Sequence, residues 1–218
     1  MLVRRWILYP SFLCYYIISE VIFMRCRTHL VFSNVVALGL IQPNNVKDLV
    51  VCMTAATVGG IVSDLDIRTS DKHKAVDLMV FLFFSLLILG YYFDNKYNYG
   101  LFNMIGNSKY YLNVIGMFVF LGICFYGMHQ PHRSFLHSFL GIFLLTGTLY
   151  YCFNVIWFPF LLGMLSHIFL DIFNKRPLRL LYPLKYGFSL KLCNYNSPVD
   201  TWVFIISIIC LGLELYIL

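Results

Sequence analysis

Charged residues are scarce in this chain of 218 residues. Only 12% of the residues are Asp, Glu, Lys or Arg, whereas 60% are hydrophobic, and an average soluble domain carries about 25% charged residues. This shortage excludes an ordinary water-soluble domain and implies that lipid forms part of the solvent. The formal net charge of +6 does not indicate nucleic-acid binding, because the basic residues lie between apolar runs rather than on one soluble face. They fit membrane orientation and contact with anionic headgroups better.

Several catalytic signatures are also missing. The chain contains no G-x-x-x-x-G-K-[ST], G-x-S-x-G or H-E-x-x-H motif. The sequence therefore gives no support for a P-loop nucleotide-binding protein, a serine hydrolase of the G-x-S-x-G type or a zincin metalloprotease. The seven cysteines are odd in number and include no C-x-x-C pair. Because most of them lie in apolar stretches, we interpret them as small core residues rather than as a disulfide framework or a zinc knuckle.

Apolar runs of helical length predict an all-α protein, a multi-pass transmembrane bundle of about six or seven hydrophobic helices. Residues 24–218 are predicted to form one membrane-embedded domain. Residues 1–23 are predicted to be a hydrophobic N-terminal extension or signal anchor, and an uncleaved first helix or a true start at Met24 remain alternatives. The predicted helices span residues 29–40, 46–62, 75–93, 110–128, 134–151, 155–171 and 201–218.

The alternating direction of these helices predicts that the polar residues meet at one membrane face. The turn at residues 42–45 joins the first two helices into a hairpin, so His29 and Asp64 should share an end. Most Lys and Arg residues fall at the same end. The positive-inside rule therefore predicts that this end faces the cytoplasm from an inner or plasma membrane.

His167 and Asp171 are spaced to act together. Because they are four residues apart, a helix places them on one face, where an imidazole nitrogen and a carboxylate oxygen can hold one ion. The alternative is a simple hydrogen bond between the two side chains at the end of a helix. Ionisable residues near a bilayer core are costly unless they are paired or bind a metal, which favours the metal site.

Asp64 and Asp66 directly follow a helix that contains Gly59 and Gly60. Negative charge at the C-terminus of a helix opposes the helix dipole, so a nearby cation is implied. The alternative is a solvated turn in which Arg68 neutralises one carboxylate.

His132 and His137 lie five residues apart at a loop-to-helix junction after Pro131 and can point into one pocket. Arg133 between them offers a planar fork that suits phosphate or carboxylate oxygens. Interfacial histidines and a headgroup-contacting arginine are the alternatives. His29 could likewise be only interfacial.

These residues, in this order, resemble the YdjM-type family of inner-membrane proteins over about residues 24–218. The resemblance rests on Thr28-His29, Asp64-Leu65-Asp66, His132-Arg133 with His137-Ser138, and His167 with Asp171 ahead of Arg179-Leu180-Leu181-Tyr182-Pro183. The family is described as membrane-bound metal-dependent hydrolases, so the resemblance implies that activity. Leu136 stands where many relatives have Thr, which removes a hydroxyl but no ligand. A more distant similarity to zinc-dependent phospholipase C and related zinc nucleases suggests chemistry only.

We therefore expect a helical membrane hydrolase in which His132 is a further ligand or an acid/base and Arg133 binds an anionic group of the substrate. Mixed nitrogen and carboxylate ligands favour zinc, with manganese and iron as options. Membrane lipids and a lipid-like or phosphorylated ester are the expected partners, and nucleic acid is not. The expected ligands of one or two divalent ions are His29, Asp64, Asp66, His137, His167 and Asp171.

Two other classes of function use the same residues differently. In a metal-ion or solute transporter, the polar residues would bind an ion transiently along an alternating-access path. In a non-enzymatic membrane scaffold, the basic segment from Lys175 to Lys191 would recruit a soluble partner or anionic lipid.

Overall fold

The structure is a computed structural model that describes residues 27–66, 110–192 and 198–218, with side chains of the second range described from residue 115 onward. Helices and turns make up these residues, and their one isolated antiparallel bridge pairs Leu178 with Phe188. The predicted all-α class is therefore confirmed. The N-terminal segment 1–23, Arg68 and the predicted helix 75–93 lie outside the described residues.

Six α-helices occur in the described parts of the chain. Two short 3-10 turns, Ser63–Asp66 after the second helix and Phe135–His137 before the fourth, carry candidate site residues. The helices are α1 (Arg27–Ile41), α2 (Val46–Val62), α3 (Tyr110–Met128), α4 (Phe139–Cys152), α5 (Trp157–Ile172) and α6 (Pro198–Ile217).

The helix bounds agree with the prediction in some places and differ in others. α2 and α3 begin and end at the predicted residues, whereas the predicted helix 134–151 begins only at Phe139. The late start has a local cause, because the side chain of Ser138 accepts a hydrogen bond from the N–H of Gly141 and thereby caps α4. The preceding residues are thus free to form a 3-10 turn that carries His137.

Within the described residues, two helices are long and apolar enough to cross a membrane. They are Val46–Asp66, which is α2 with its following turn, at 21 residues, and Pro198–Ile217 at 20 residues. The other apolar helical stretches have 10–17 residues each, with α3 counted only from Ile115, where its described side chains begin, and a hydrocarbon core about 30 Å thick needs about 20. The prediction of six or seven spanning helices is therefore not supported, because an apolar run shows that a helix avoids water but not that it crosses a bilayer.

The backbones of α2 and α5 are in direct contact. A Cβ added to Gly163 of α5 would overlap the carbonyl oxygen of Ala56, and a Cβ added to Gly59 of α2 would overlap that of Phe160. Small residues at such positions allow two apolar helices to pack closely. The contact brings the turn after α2, which carries Asp64, beside the last turns of α5.

The apolar core has two parts. One joins α2, α3, α4 and α5 around Leu145 and Phe160, and the other joins α1, α2 and α5 around Leu38. α6 buries only Ser207 and leaves Trp202 63% exposed. Such an apolar outer surface fits contact with lipid, where every backbone polar group is already satisfied within the helix.

The close approach predicts that Gly163→Ala lowers the free energy of unfolding by about 1–3 kcal/mol, because the added methyl must push one backbone away from the other. Gly147→Ala in α4 is the matched control, since a Cβ there meets no atom within 4 Å. Thermal unfolding of both variants in detergent measures the difference. Equal melting temperatures for the two variants would contradict backbone contact between α2 and α5.

Candidate metal centre

Polar side chains from four segments meet at one end of the helices. The segments are the start of α1, the turn after α2, the loop and turn before α4, and the last turns of α5. His29 and Asp64 lie at the same end, as the predicted hairpin implies, and both lie beside His167. The rings of His29 and His167 stack with centroids 3.9 Å apart, and Nε2 of His167 is 3.6 Å from Oδ1 of Asp64.

Two overlapping sets of donor atoms could hold a metal ion. His29, His167 and Asp171 form one set, and Asp64, His137 and His167 form the other. Within each set the donor atoms lie within 4.8 Å of one another. A tetrahedral zinc site, with bonds of about 2.0–2.1 Å, places its donors roughly 3.3 Å apart. The side chains therefore fit a divalent cation after small movements.

Backbone contact fixes the orientation of His167. Its Nδ1–H donates a hydrogen bond to the carbonyl oxygen of Gly60 at 2.7 Å, and a carbonyl oxygen can only accept. A neutral ring then directs the lone pair of Nε2 towards Oδ1 of Asp64 at 3.6 Å and Oδ2 of Asp171 at 3.9 Å. This Nε2 is buried and has no hydrogen-bond partner among the described residues. A lone pair that faces carboxylates is unfavourable unless positive charge, as a metal ion or a proton, lies between them.

His137 is fully buried between two carboxylates. Asp66 lies 3.6 Å from its Nδ1, and Asp171 lies 3.6 Å from its Nε2. Burial alone would lower the pKa of His137, but the carboxylates of Asp171 and Asp66 outweigh it and raise the pKa to about 9. The pocket therefore attracts positive charge, which either a proton or a metal ion can supply.

Asp66, which the sequence predicts as a metal ligand, lies in the cluster with both carboxylate oxygens hydrogen-bonded. Its Oδ1 accepts a hydrogen bond from Nδ1 of His132 at 2.6 Å, and its Oδ2 accepts one from the backbone N–H of Arg133 at 2.9 Å. Asp66 belongs to neither donor set of the described residues. Because both oxygens are engaged, Asp66 orients His132 and fixes the loop before α4.

Arg133 is buried and turned inward rather than towards an open cleft. Its Nη2 lies 2.9 Å from Oδ2 of Asp171, and its Nη1 donates to the carbonyl oxygen of Arg176 at 2.7 Å. The backbone of Arg133 has φ 63°, the left-handed region that costs a non-glycine residue energy. The hydrogen bond to Asp66 and the contact with Asp171 hold it there. The guanidinium therefore partly neutralises Asp171 and fixes its position.

Three groups that position the donors were not found from the sequence. The carbonyl oxygens of Gly60 and Arg176 hold His167 and Arg133, and Nδ2 of Asn174 donates to Oδ1 of Asp171 at 2.8 Å. A backbone carbonyl has no signature in the sequence. Asn174 did offer a signal, because it follows Asp171 by three residues at the end of a helix, within reach of its side chain.

Comparison with known proteins gives one match. The model of the family described as YdjM inner membrane protein matches residues 24–217, which include every donor residue of the centre. The segment 1–23 lies outside the matched range. No curated protein and no solved structure matches the chain.

Asp66→Asn is expected to lower the free energy of unfolding by about 1–3 kcal/mol. The amide NH2 of an Asn would clash donor against donor with the N–H of Arg133, or would face Nδ1 of His132 and force this ring into its other tautomer. In either arrangement the negative charge that strengthens both hydrogen bonds is lost. Asp48→Asn is the matched control, because the carboxylate of Asp48 accepts its hydrogen bond from Asn45 at the exposed start of α2. Thermal unfolding of the two variants checks the prediction. If both variants lost the same amount of stability, Asp66 would not anchor the loop.

Proposed function

Because the chain belongs to the YdjM inner membrane protein family, we propose that it is a membrane-bound metal-dependent hydrolase with this cluster as its active site. The proposed substrate is a phosphate ester, or another ester, of a lipid-like molecule. One observation carries the proposal. The carbonyl oxygen of Gly60 holds the Nδ1–H of His167, so Nε2 of the same ring faces two carboxylates in a buried pocket, and this arrangement calls for a cation.

The ligands of one or two ions would come from the two donor sets, which together contain His29, Asp64, His137, His167 and Asp171. Their mixture of nitrogen and carboxylate donors favours zinc over magnesium or calcium, with manganese and iron as options. A bound divalent cation supplies Lewis acidity, which lowers the pKa of water towards about 7 and so provides a nucleophile at neutral pH.

His132 is proposed as the acid/base that moves a proton during hydrolysis. Its Nδ1–H is held by Asp66, so its Nε2 is the nitrogen left for proton transfer. The side chain is 28% exposed, whereas that of Asp66 is fully buried. His132 thus combines a fixed ring orientation with access to a substrate, and Asp66 is its positioning residue.

Arg133 is proposed to contribute positive charge beside the anionic group of the substrate. Two of its guanidinium nitrogens are engaged by Asp171 and by the carbonyl oxygen of Arg176, while its Nε has no hydrogen-bond partner within the described residues. Nε is accordingly the donor left for a phosphoryl or carboxylate oxygen, and because it is buried, the turn before α4 must move to admit that oxygen. Fixed donors of this kind stabilise charge that develops in the transition state.

We further propose a multi-pass arrangement with the site at the cytoplasmic face. Lys175, Arg176, Lys185 and Lys191 lie in the loop after α5, at the same end as the donors, and the positive-inside rule assigns such an end to the cytoplasm. Donors at helix ends favour a hydrolase over the transporter alternative, because transporters hold their substrate near the midplane.

An apolar groove beside the centre supports a lipid-like substrate. It has a volume of about 390 Å³. Phe135 forms part of its wall and lies two residues from both Arg133 and His137, so the groove and the centre share one short turn. A lipid with its acyl chain in this groove would carry its ester towards that turn. The lining residues are Val119, Gly122, Ile123, Tyr126, Phe135, Leu140, Leu144 and Tyr182.

Metal content tests the centre directly. Wild-type protein purified without chelators is expected to carry about one or two equivalents of divalent metal, chiefly zinc, and His167→Ala and Asp64→Ala are expected to lose most of it. His129→Ala is the matched control, because this exposed histidine bonds only the carbonyl oxygen of Phe125. Elemental analysis by mass spectrometry measures the content. Equal and negligible metal in all of the proteins would remove the proposal.

Substrate length tests the groove. Gly122→Phe is expected to lower kcat/KM for a long-chain lipid phosphate ester by at least about tenfold, and to spare a short water-soluble ester. A Cβ at Gly122 meets no atom within 4 Å, and the same holds for Gly212 in α6, so Gly212→Phe is the matched control. Hydrolysis of both esters by both variants is measured at equal metal content. A Gly122→Phe protein that cleaves the long-chain ester normally would show that the groove does not hold it.

A further inference from the structure

Residues 173–192 form a basic loop that lies against the metal centre without supplying a donor to it. This stretch contains no Asp or Glu. Four of its cations are exposed, and Arg179 is half-buried. The cations of the loop are Lys175, Arg176, Arg179, Lys185 and Lys191.

The second half of the basic loop is fixed to the protein by its backbone. The N–H groups of Phe188, Leu190 and Leu192 donate to carbonyl oxygens of residues 172–178 at 2.8–3.1 Å. The hydroxyl of Ser189 adds a hydrogen bond to the carbonyl oxygen of Asn174. The loop therefore has a defined conformation and presents a defined surface.

That surface carries apolar side chains at alternate positions. In an extended stretch, residues two apart point to the same side, which places Tyr186, Phe188 and Leu190 together. The left-handed backbone of Lys191, at φ 55°, ends the extended stretch before Leu192. The residues between the apolar ones are Lys185, Gly187, Ser189 and Lys191. The exposed fractions of the apolar residues range from 45% to 81%. These residues are Leu184, Tyr186, Phe188, Leu190 and Leu192.

We propose that the basic loop binds the anionic phospholipid surface of the membrane leaflet at the site end. The apolar row enters the boundary between headgroups and acyl chains, and the Lys and Arg side chains contact lipid phosphates. Two observations select a membrane rather than a soluble partner. The cations have no acidic residue among them, and the loop leaves the end of α5 in a protein of an inner-membrane family. This interaction does not depend on hydrolysis.

Tryptophan fluorescence in lipid nanodiscs tests the proposal on the full chain. Tyr186→Trp places an emitter in the row, and Tyr216→Trp near the end of α6 is the matched control, since the two tyrosines are 81% and 89% exposed. The quencher is brominated phosphatidylglycerol or brominated phosphatidylcholine at equal mole fraction, and wild-type emission is subtracted. The emission added by Tyr186→Trp is expected to be quenched about fivefold more efficiently by the anionic lipid. The control is expected to show no preference.

Neutralising the cations tests the charge contribution. Adding Lys185→Gln and Lys191→Gln to Tyr186→Trp is expected to reduce the preference for the anionic lipid to about twofold or less. Raising the salt concentration is expected to act in the same direction. Lys47→Gln, at the opposite end of α2, is the matched control and is expected to leave the preference unchanged.

Two results would overturn the proposal. Equal quenching of Tyr186→Trp by both lipids would show insertion without recognition of anionic headgroups, and quenching by neither lipid would place the loop in water or on a protein partner. Hydrogen exchange of wild-type amides 184–192 gives a measurement free of substitutions. Slower exchange in anionic than in zwitterionic nanodiscs supports the proposal, and identical exchange contradicts it.

Discussion

Negative charge buried among apolar helices is the constraint on which this structure depends. Asp66 is fully buried and Asp171 is 3% exposed, and a carboxylate withdrawn from water costs several kcal/mol unless partners compensate it. Asp66 is compensated by His132 and by a backbone N–H, and Asp171 by Arg133 and Asn174. The arrangement of the whole helical end follows from the need to supply these partners.

The polar residues around the buried carboxylates are of two kinds. One kind holds its neighbours in place, as Asp66 does for His132 and as the carbonyl oxygen of Gly60 does for His167. The other kind directs nitrogen and oxygen atoms into the space between the helices, as His137 and His167 do. Fixed outer contacts around convergent donors are the usual design of a protein metal site, so the cluster has the form of a site that could bind a metal ion.

Much of the framework could be predicted from the sequence, because helix ends and helix spacing are local properties. Residues 46–62 and 110–128 were delimited by polar residues and turns at both ends, and the hairpin after residue 41 correctly implied that His29 and Asp64 share an end. The neighbourhood of Asp66 could not be predicted, since its partners lie 66 and 67 residues away. The inward direction of the Arg133 side chain depends on the left-handed backbone conformation of this residue. That conformation could not be predicted, because arginine has no preference for it. Within the described residues, two helices rather than all of the predicted ones have the length and composition to span a membrane, because hydropathy alone does not fix helix length.

Gly60 takes part both in the packing of α2 against α5 and in the orientation of His167. Its neighbour Gly59 lies directly on the backbone of α5, so the two helices cannot slide past each other without displacing the imidazole as well. A bulky molecule that pushed α2 away from α5 would therefore also turn the ring of His167 away from the carboxylates that it faces.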